Sequence, residues 1–207
     1  VNRGSLPFFH EILVLMVWKG WLTLEEMPVR VFDEEYLREL EEKVKSRKEK
    51  AANVLFTLNR FVLVDRHKSP IYESLADRVE KLVKLWREKT KDYERIYREG
   101  AEIFEEIRRL KQRQKQLNFS DMEYSMLLTL ESRFGRSEEF VEEVRKLSER
   151  LRSLMFPGWI SQVTARKSVE VEVRRFVRRY RKKYGLSLKE MDELYERLIE
   201  GVMNYGA

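Results

Sequence analysis

Apolar residues in this chain recur at alternating gaps of three and four, and no stretch keeps a gap of two. From Leu37 the series runs through Leu40, Val44, Ala51, Leu55, Leu58 and Val62, which predicts one long helix lying in a seam with a partner. Asp33 precedes it as an N-cap, and Glu34 and Glu35 fill the first turn, where the helix dipole favours acid. Ser69-Pro70 restarts the pattern, since proline suits the first helical position, and Tyr72, Leu75, Val79, Leu82 and Trp86 carry it to Glu88. After a soft break at Thr90–Asp92 comes another helix with Tyr93, Ile96, Ile103, Phe104, Ile107 and Leu110 inside. Its end, Lys111–Gln116, is polar all round and is expected to project into solvent.

Beyond Leu117 the predicted helices shorten and their punctuation sharpens. Ser120 with Glu123 forms a capping box, and Gly135 sits where a helix ends. Ser137 caps the next helix, whose inner face is Phe140, Val144, Leu147, Leu151 and Leu154 before Pro157-Gly158 breaks it. A further helix stops at Gly185. Ser187 with Glu190 is a second capping box, opening a last helix with Met191, Leu194, Leu198 and Val202 inside. The expected fold is all-α: a multi-helix bundle with long antiparallel helices over residues 1–116, then a cluster of shorter helices over 117–207, together one continuous helical domain.

Charge changes this picture at one place. Between Arg166 and Lys183 stand nine basic residues against Glu170 and Glu172, a local net of +7, whereas the whole chain of 207 residues carries +6. The basic pI of about 9.4 is therefore a property of one segment, and a local excess points to a partner-facing surface. At 100° per residue, Val169, Val173, Phe176, Val177, Tyr180 and Tyr184 fall on one stripe, while Lys167, Arg174, Arg175, Arg178, Arg179, Arg181 and Lys182 fall opposite. The alternative is a solvated helix face that binds nothing.

Composition narrows the class. Charged residues make up 38% and mean hydropathy is −0.58, yet 43% of the chain is apolar, too much for disorder and suited to amphipathic helices with ion-paired exteriors. Lacking cysteine, the chain has no disulfide framework and no thiolate metal site, which fits a reducing cytoplasm. Its abundance of Lys, Arg and Glu leans toward heat adaptation. The apolar run Ile12–Trp18, flanked by Glu11 and Lys19, is too short to span a membrane and lacks a cleavage site, so it reads as a buried helix. The opening at Val1 reads as a piece of a longer chain.

Candidate chemistry is sparse. His10 and His67 stand far apart with no ligand spacing, and core or surface roles suit each better than a shared metal. Glycine-rich phosphate loops and nucleophile elbows are absent from the sequence. Val29–Tyr36 imitates the acidic box of a motor ATPase, but such a box holds magnesium only beside a phosphate loop, and helix capping by Asp33 explains the same residues. Glu105-Glu106 and Glu142-Glu143 read as solvated faces. Trp18, Trp21, Trp86 and Trp159 are expected to fill the core, with base stacking beside the basic strip as the alternative.

Three stretches together resemble the C-terminal helical region of the restriction (R) subunit of type I restriction–modification enzymes. The first is Ser69-Pro-Ile-Tyr-Glu-Ser-Leu-Ala-Asp-Arg-Val-Glu80. The second runs from Leu117-Asn-Phe-Ser-Asp-Met-Glu123-Tyr to Leu130. The third is Trp159, then Ala165-Arg-Lys-Ser-Val, Val173-Arg-Arg-Phe-Val and Lys183-Tyr-Gly185-Leu186. Order and rough spacing agree from about Ala51 onward. The resemblance implies a parent chain with a nuclease domain and two ATP-driven motor domains, an ATP-dependent site-specific deoxyribonuclease of the prokaryotic cytoplasm. This helical part would attach it to the methyltransferase and specificity subunits. No nuclease or motor residue is present to carry over, so no catalytic residue, metal or cofactor is assigned.

The expected function is a non-catalytic assembly domain, with Arg174, Arg175, Arg178, Arg179, Lys182 and Lys183 as the docking surface, facing an acidic patch or nearby DNA phosphate. The alternative is a helical module that binds the nucleic-acid backbone through the same residues, with affinity falling steeply in salt. A third reading, a helical active site of the lyase or terpenoid synthase kind, needs clustered carboxylates on an inward stripe, and none is found.

Overall fold

A computed structural model describes residues 34–88 and 92–206. The Asp33 cap, the run Ile12–Trp18, His10, Trp21 and the stretch Val29–Phe32 lie outside the described residues. Among the described residues every regular element is helical, and the all-α multi-helix expectation holds. The chain divides into two compact units, Val1–Gln112 and Arg113–Ala207, the division falling inside a helix five residues before the expected change of organisation at Leu117.

In the first unit the expected long helix is two. Helix α1 is Glu34–Lys43 and α2 is Arg47–Leu58, separated at Ser46, whose extended backbone (φ −78°, ψ 122°) and side chain cap α2 by accepting the Glu49 amide. A serine hydroxyl offers the backbone N–H an alternative partner, so the apolar spacing survives the break while the helix does not. α2 then widens into a π-helical turn, Asn59–Val64, followed by the 3-10 turn Arg66–Lys68. Asp65 holds this corner by accepting from Arg60 at 3.2 Å and pairing with Lys68 at 3.1 Å. Helix α3, Pro70–Arg87, starts under Ser69, which accepts the Ile71 amide at 3.3 Å, and folds back on the π-helical turn. Helix α4 is Tyr93–Leu117, and its Gly100 lets it approach α2 so closely that a Cβ there would overlap Val54. Tyr36 of α1 stacks on Phe104 of α4 (centroids 5.3 Å, interplanar 13°), and its hydroxyl shares a 2.9 Å hydrogen bond with Thr57. Burial pushes the Tyr36 phenol up to about 12 despite that bond. Trp86 is only half-buried, tilted against Tyr93, and His67 is exposed.

The second unit is built on helices α5 (Asp121–Phe134), α6 (Glu138–Arg152), α7 (Val163–Tyr184) and α8 (Leu188–Tyr205). Each packs on two others in a ring, α5 on α6, α6 on α7, α7 on α8 and α8 back on α5. The ring is antiparallel at every side. Glu139 and Glu143 of α6 meet Lys183 and Arg179 of α7, and Arg133 of α5 meets Glu190 of α8. Gly185 (φ 65°) makes the tight turn between α7 and α8 in the left-handed region that glycine occupies without strain. Both expected capping boxes form, at Ser120–Glu123 and Ser187–Glu190.

Helix α5 is buried on every side along its first half, while Ser132 and Arg133 reach solvent near its end. Met122 through Leu127 are buried without interruption, Glu123 among them. That carboxylate is only 6% exposed and accepts from the Ser120 amide at 2.9 Å, from the Ser120 hydroxyl at 2.8 Å, and from Arg152 at 3.0 Å. Burial alone raises its pKa, but the two Ser120 donors, Ser148 and Arg152 outweigh it and the net shift is downward. The end of α4 departs from expectation. Instead of projecting freely, Arg113 makes two parallel 2.6 Å hydrogen bonds to Glu131 of α5, and Gln114 reaches Asp121 at 2.7 Å. Periodicity shows where apolar faces lie, but a polar face can dock through a bidentate pair and leave no trace in it.

A candidate docking face on the basic helix

The basic helix is fixed at both ends. α6 ends at Arg152, earlier than the expected break at Pro157-Gly158, and Trp159 enters the core (2% exposed), donating its indole N–H to the Gly206 carbonyl at 2.9 Å. At the far end Arg181 donates through Nε to the Leu186 carbonyl at 3.3 Å, tying the turn after the helix. Between these anchors the inward stripe Val169, Val173, Phe176, Val177 and Tyr180 is buried, as the periodicity requires. Phe134, Phe140, Phe176, Tyr180 and Tyr184 then form a ladder of rings with neighbouring centroids 4.4–6.5 Å apart. Tyr184 keeps 38% of its surface exposed at the ladder's outer end, so it belongs to the rim more than to the core.

The six candidate residues do not share one environment. Arg174 lies over the Tyr195 ring of α8 at 4.2 Å, a cation–π contact on the α8 flank. Arg179 and Lys183 face the other flank and pair with Glu143 (3.4 Å) and Glu139 of α6. The Glu139 carboxylate raises the Lys183 pKa. Arg175 pairs within its own helix with Glu172. Arg178 and Lys182 stand exposed with no hydrogen-bond, ion-pair or ring partner among the described residues, and so does Lys167. The structure therefore splits the predicted strip into a crest of unpartnered cations and two flanks engaged with neighbouring helices. The sequence could not make this division, because the carboxylates on the α6 flank are contributed from 36 and 44 positions away.

Those pairs leave the field largely intact. The cations of the three pairs keep 46–65% of their side-chain surface in solvent, and exposed ion pairs contribute roughly 0–1 kcal/mol. An incoming anionic group competes with them at little cost. The helix carries nine basic against two acidic residues, while α8 beside it carries two against five.

Other concave features are less suited to a partner. A groove of about 660 Å³ in the first unit is lined by Glu41, Glu94, Tyr97, Arg98, Glu102 and Arg109, among others. Its charges are largely engaged already: Lys50 pairs with Glu41, holding that carboxyl below its ordinary value, and Arg47 pairs with Glu94. No group of three or more metal-ligating side chains occurs among the described residues, and no helix there is long and apolar enough to cross a membrane. No protein-family model, curated protein or solved structure matches the chain.

Proposed function

We propose that this chain is a helical assembly domain that docks the ATP-dependent, DNA-translocating restriction subunit of a type I restriction enzyme onto its methyltransferase and specificity subunits. The observation that carries the reading is the crest of α7, where Lys167, Arg178 and Lys182 remain without partners on a rigidly anchored helix. Three further features support it. The segments carrying the family resemblance coincide with structural devices: the Ser69-Pro70 helix start, the Glu123 cap buried under Arg152, and the Trp159 anchor followed by the basic helix and its Gly185 turn. The docking surface comprises Arg174, Arg175, Arg178, Arg179, Lys182 and Lys183, with the crest members making first contact and the flank members re-pairing. In this reading the nuclease and motor activities belong to other domains of the parent chain, in a prokaryotic cytoplasm.

The test is co-expression of the chain with the methyltransferase and specificity subunits of its own system. Arg175→Glu, Arg178→Glu and Lys182→Glu together are expected to abolish co-elution while shifting Tm by no more than a few degrees, since all three side chains are exposed. Undiminished co-elution of a folded variant removes α7 as the docking surface. Binding of the unmodified chain to duplex DNA alone, lost by this variant and steep in salt, replaces the assembly reading with backbone recognition.

A further inference from the structure

At 100° per residue, Lys167, Val171, Arg175, Arg178 and Lys182 fall within an arc of about 80° on the side of α7 opposite its buried stripe. They follow one another at gaps of four, four, three and four, the spacing at which one helix presents a seam to another. From Lys167 to Lys182 is fifteen positions, ~22 Å along the helix axis. Four members of the row are cations. The fifth, Val171, is 46% exposed and stands between them, with Lys167 one turn before it and Arg178 two turns beyond.

That row discriminates between anionic partners. A nucleic-acid duplex laid along α7 also covers its packed neighbour α8, whose axis in helix packing lies about 8–10 Å away. There it meets the carboxylates of Asp192 and Glu196, exposed and without a partner among the described residues. A single strand is held by aromatic rings on which its bases stack, and the row carries no ring. Neither polymer has a use for an apolar side chain among the cations. A protein helix does, because protein interfaces set apolar contact inside a charged rim. It is also no wider than α7, so it lies along the row without covering α8.

We infer that α7 receives an acidic amphipathic helix, which sets carboxylates against Lys167, Arg178 and Lys182 and an apolar side chain against Val171. On the docking reading of α7, on which this rests, that helix belongs to the methyltransferase or specificity subunit. A helix laid along the row repeats its rise, so the carboxylates opposite Lys167 and Lys182 stand about fifteen residues apart in the partner sequence.

Carbodiimide cross-linking of the complex with the methyltransferase and specificity subunits tests it, since that reagent joins a lysine amine directly to a carboxylate in contact with it. Mass spectrometry of the digested product is expected to find Lys167 and Lys182 joined to two acidic residues of one partner segment, about fifteen positions apart. Val171→Ser leaves the charge of the row unchanged. It is expected to weaken affinity for the same subunits about three- to tenfold, read by biolayer interferometry, and to leave the binding of a labelled duplex DNA as it was. A complex that forms without a cross-link from either lysine, or with cross-links scattered over separate segments, overturns the acidic helix while the docking surface stands. Full affinity of Val171→Ser overturns it equally. Absence of any complex removes the docking reading and this inference with it, and duplex DNA binding in its place, indifferent to Val171→Ser, assigns the row to phosphate.

Discussion

Replacing Arg113 by Ala strands Glu131, a carboxylate whose side chain is only 7% exposed and which accepts two parallel 2.6 Å hydrogen bonds from that guanidinium. Each charge-assisted bond contributes about 1.5–3 kcal/mol, and breaking a fully buried pair costs about 3–5 kcal/mol. Arg113 retains 20% of its side-chain surface in solvent, so the lower part of that range applies, about 2–4 kcal/mol. Glu131→Ala leaves the arginine less deeply stranded, since a cation on a long stem can turn toward water, and should cost about 1–3 kcal/mol. The double variant leaves no orphaned charge, so its cost must fall short of the sum by about 1–3 kcal/mol. Urea unfolding of the four proteins, followed by circular dichroism with matched m-values, measures this coupling. A coupling near zero would mean that the pair contributes nothing as a unit, and the account of how the end of α4 is held on α5 would fail.

Two further outcomes follow from neighbouring groups. The buried Tyr124 hydroxyl makes no close hydrogen bond and has the Arg113 guanidinium as its polar neighbour, so Tyr124→Phe should change stability by no more than about 1 kcal/mol in the same urea assay; a larger loss contradicts that reading. The depressed Glu123 carboxyl contributes stability that is fully present above its unfolded value near 4.3 and is lost as pH falls through its lower folded value. Between neutral pH and pH 3 the urea midpoint of Glu123→Gln should therefore fall less than that of the natural sequence, and equal falls would show that this carboxylate does not contribute.

Sequence periodicity anticipated most of the second unit because its signals are local. A capping box spans four residues, a glycine turn needs one, and the buried stripe of α7 repeats within one helix. The first unit was less legible, since the seam from Leu37 to Val62 continues across a break that only the Ser46 cap and the π-helical turn reveal. The basic strip was visible as composition. Its division into crest and flanks was not, because Glu139, Glu143 and Tyr195 approach it only once α6 and α8 have packed.

Helix α5 is walled in by its neighbours, with six consecutive residues out of solvent. An isolated helix of this length is marginal in water, and its apolar first half has no side to turn toward the solvent. Its neighbours, in turn, need it as the surface on which their own stripes close. Amide protons of α5 are thereby tied to the opening of α6 and α8, neither of which can detach without exposing it. The two helices that pack on it, α6 and α8, therefore open together with it.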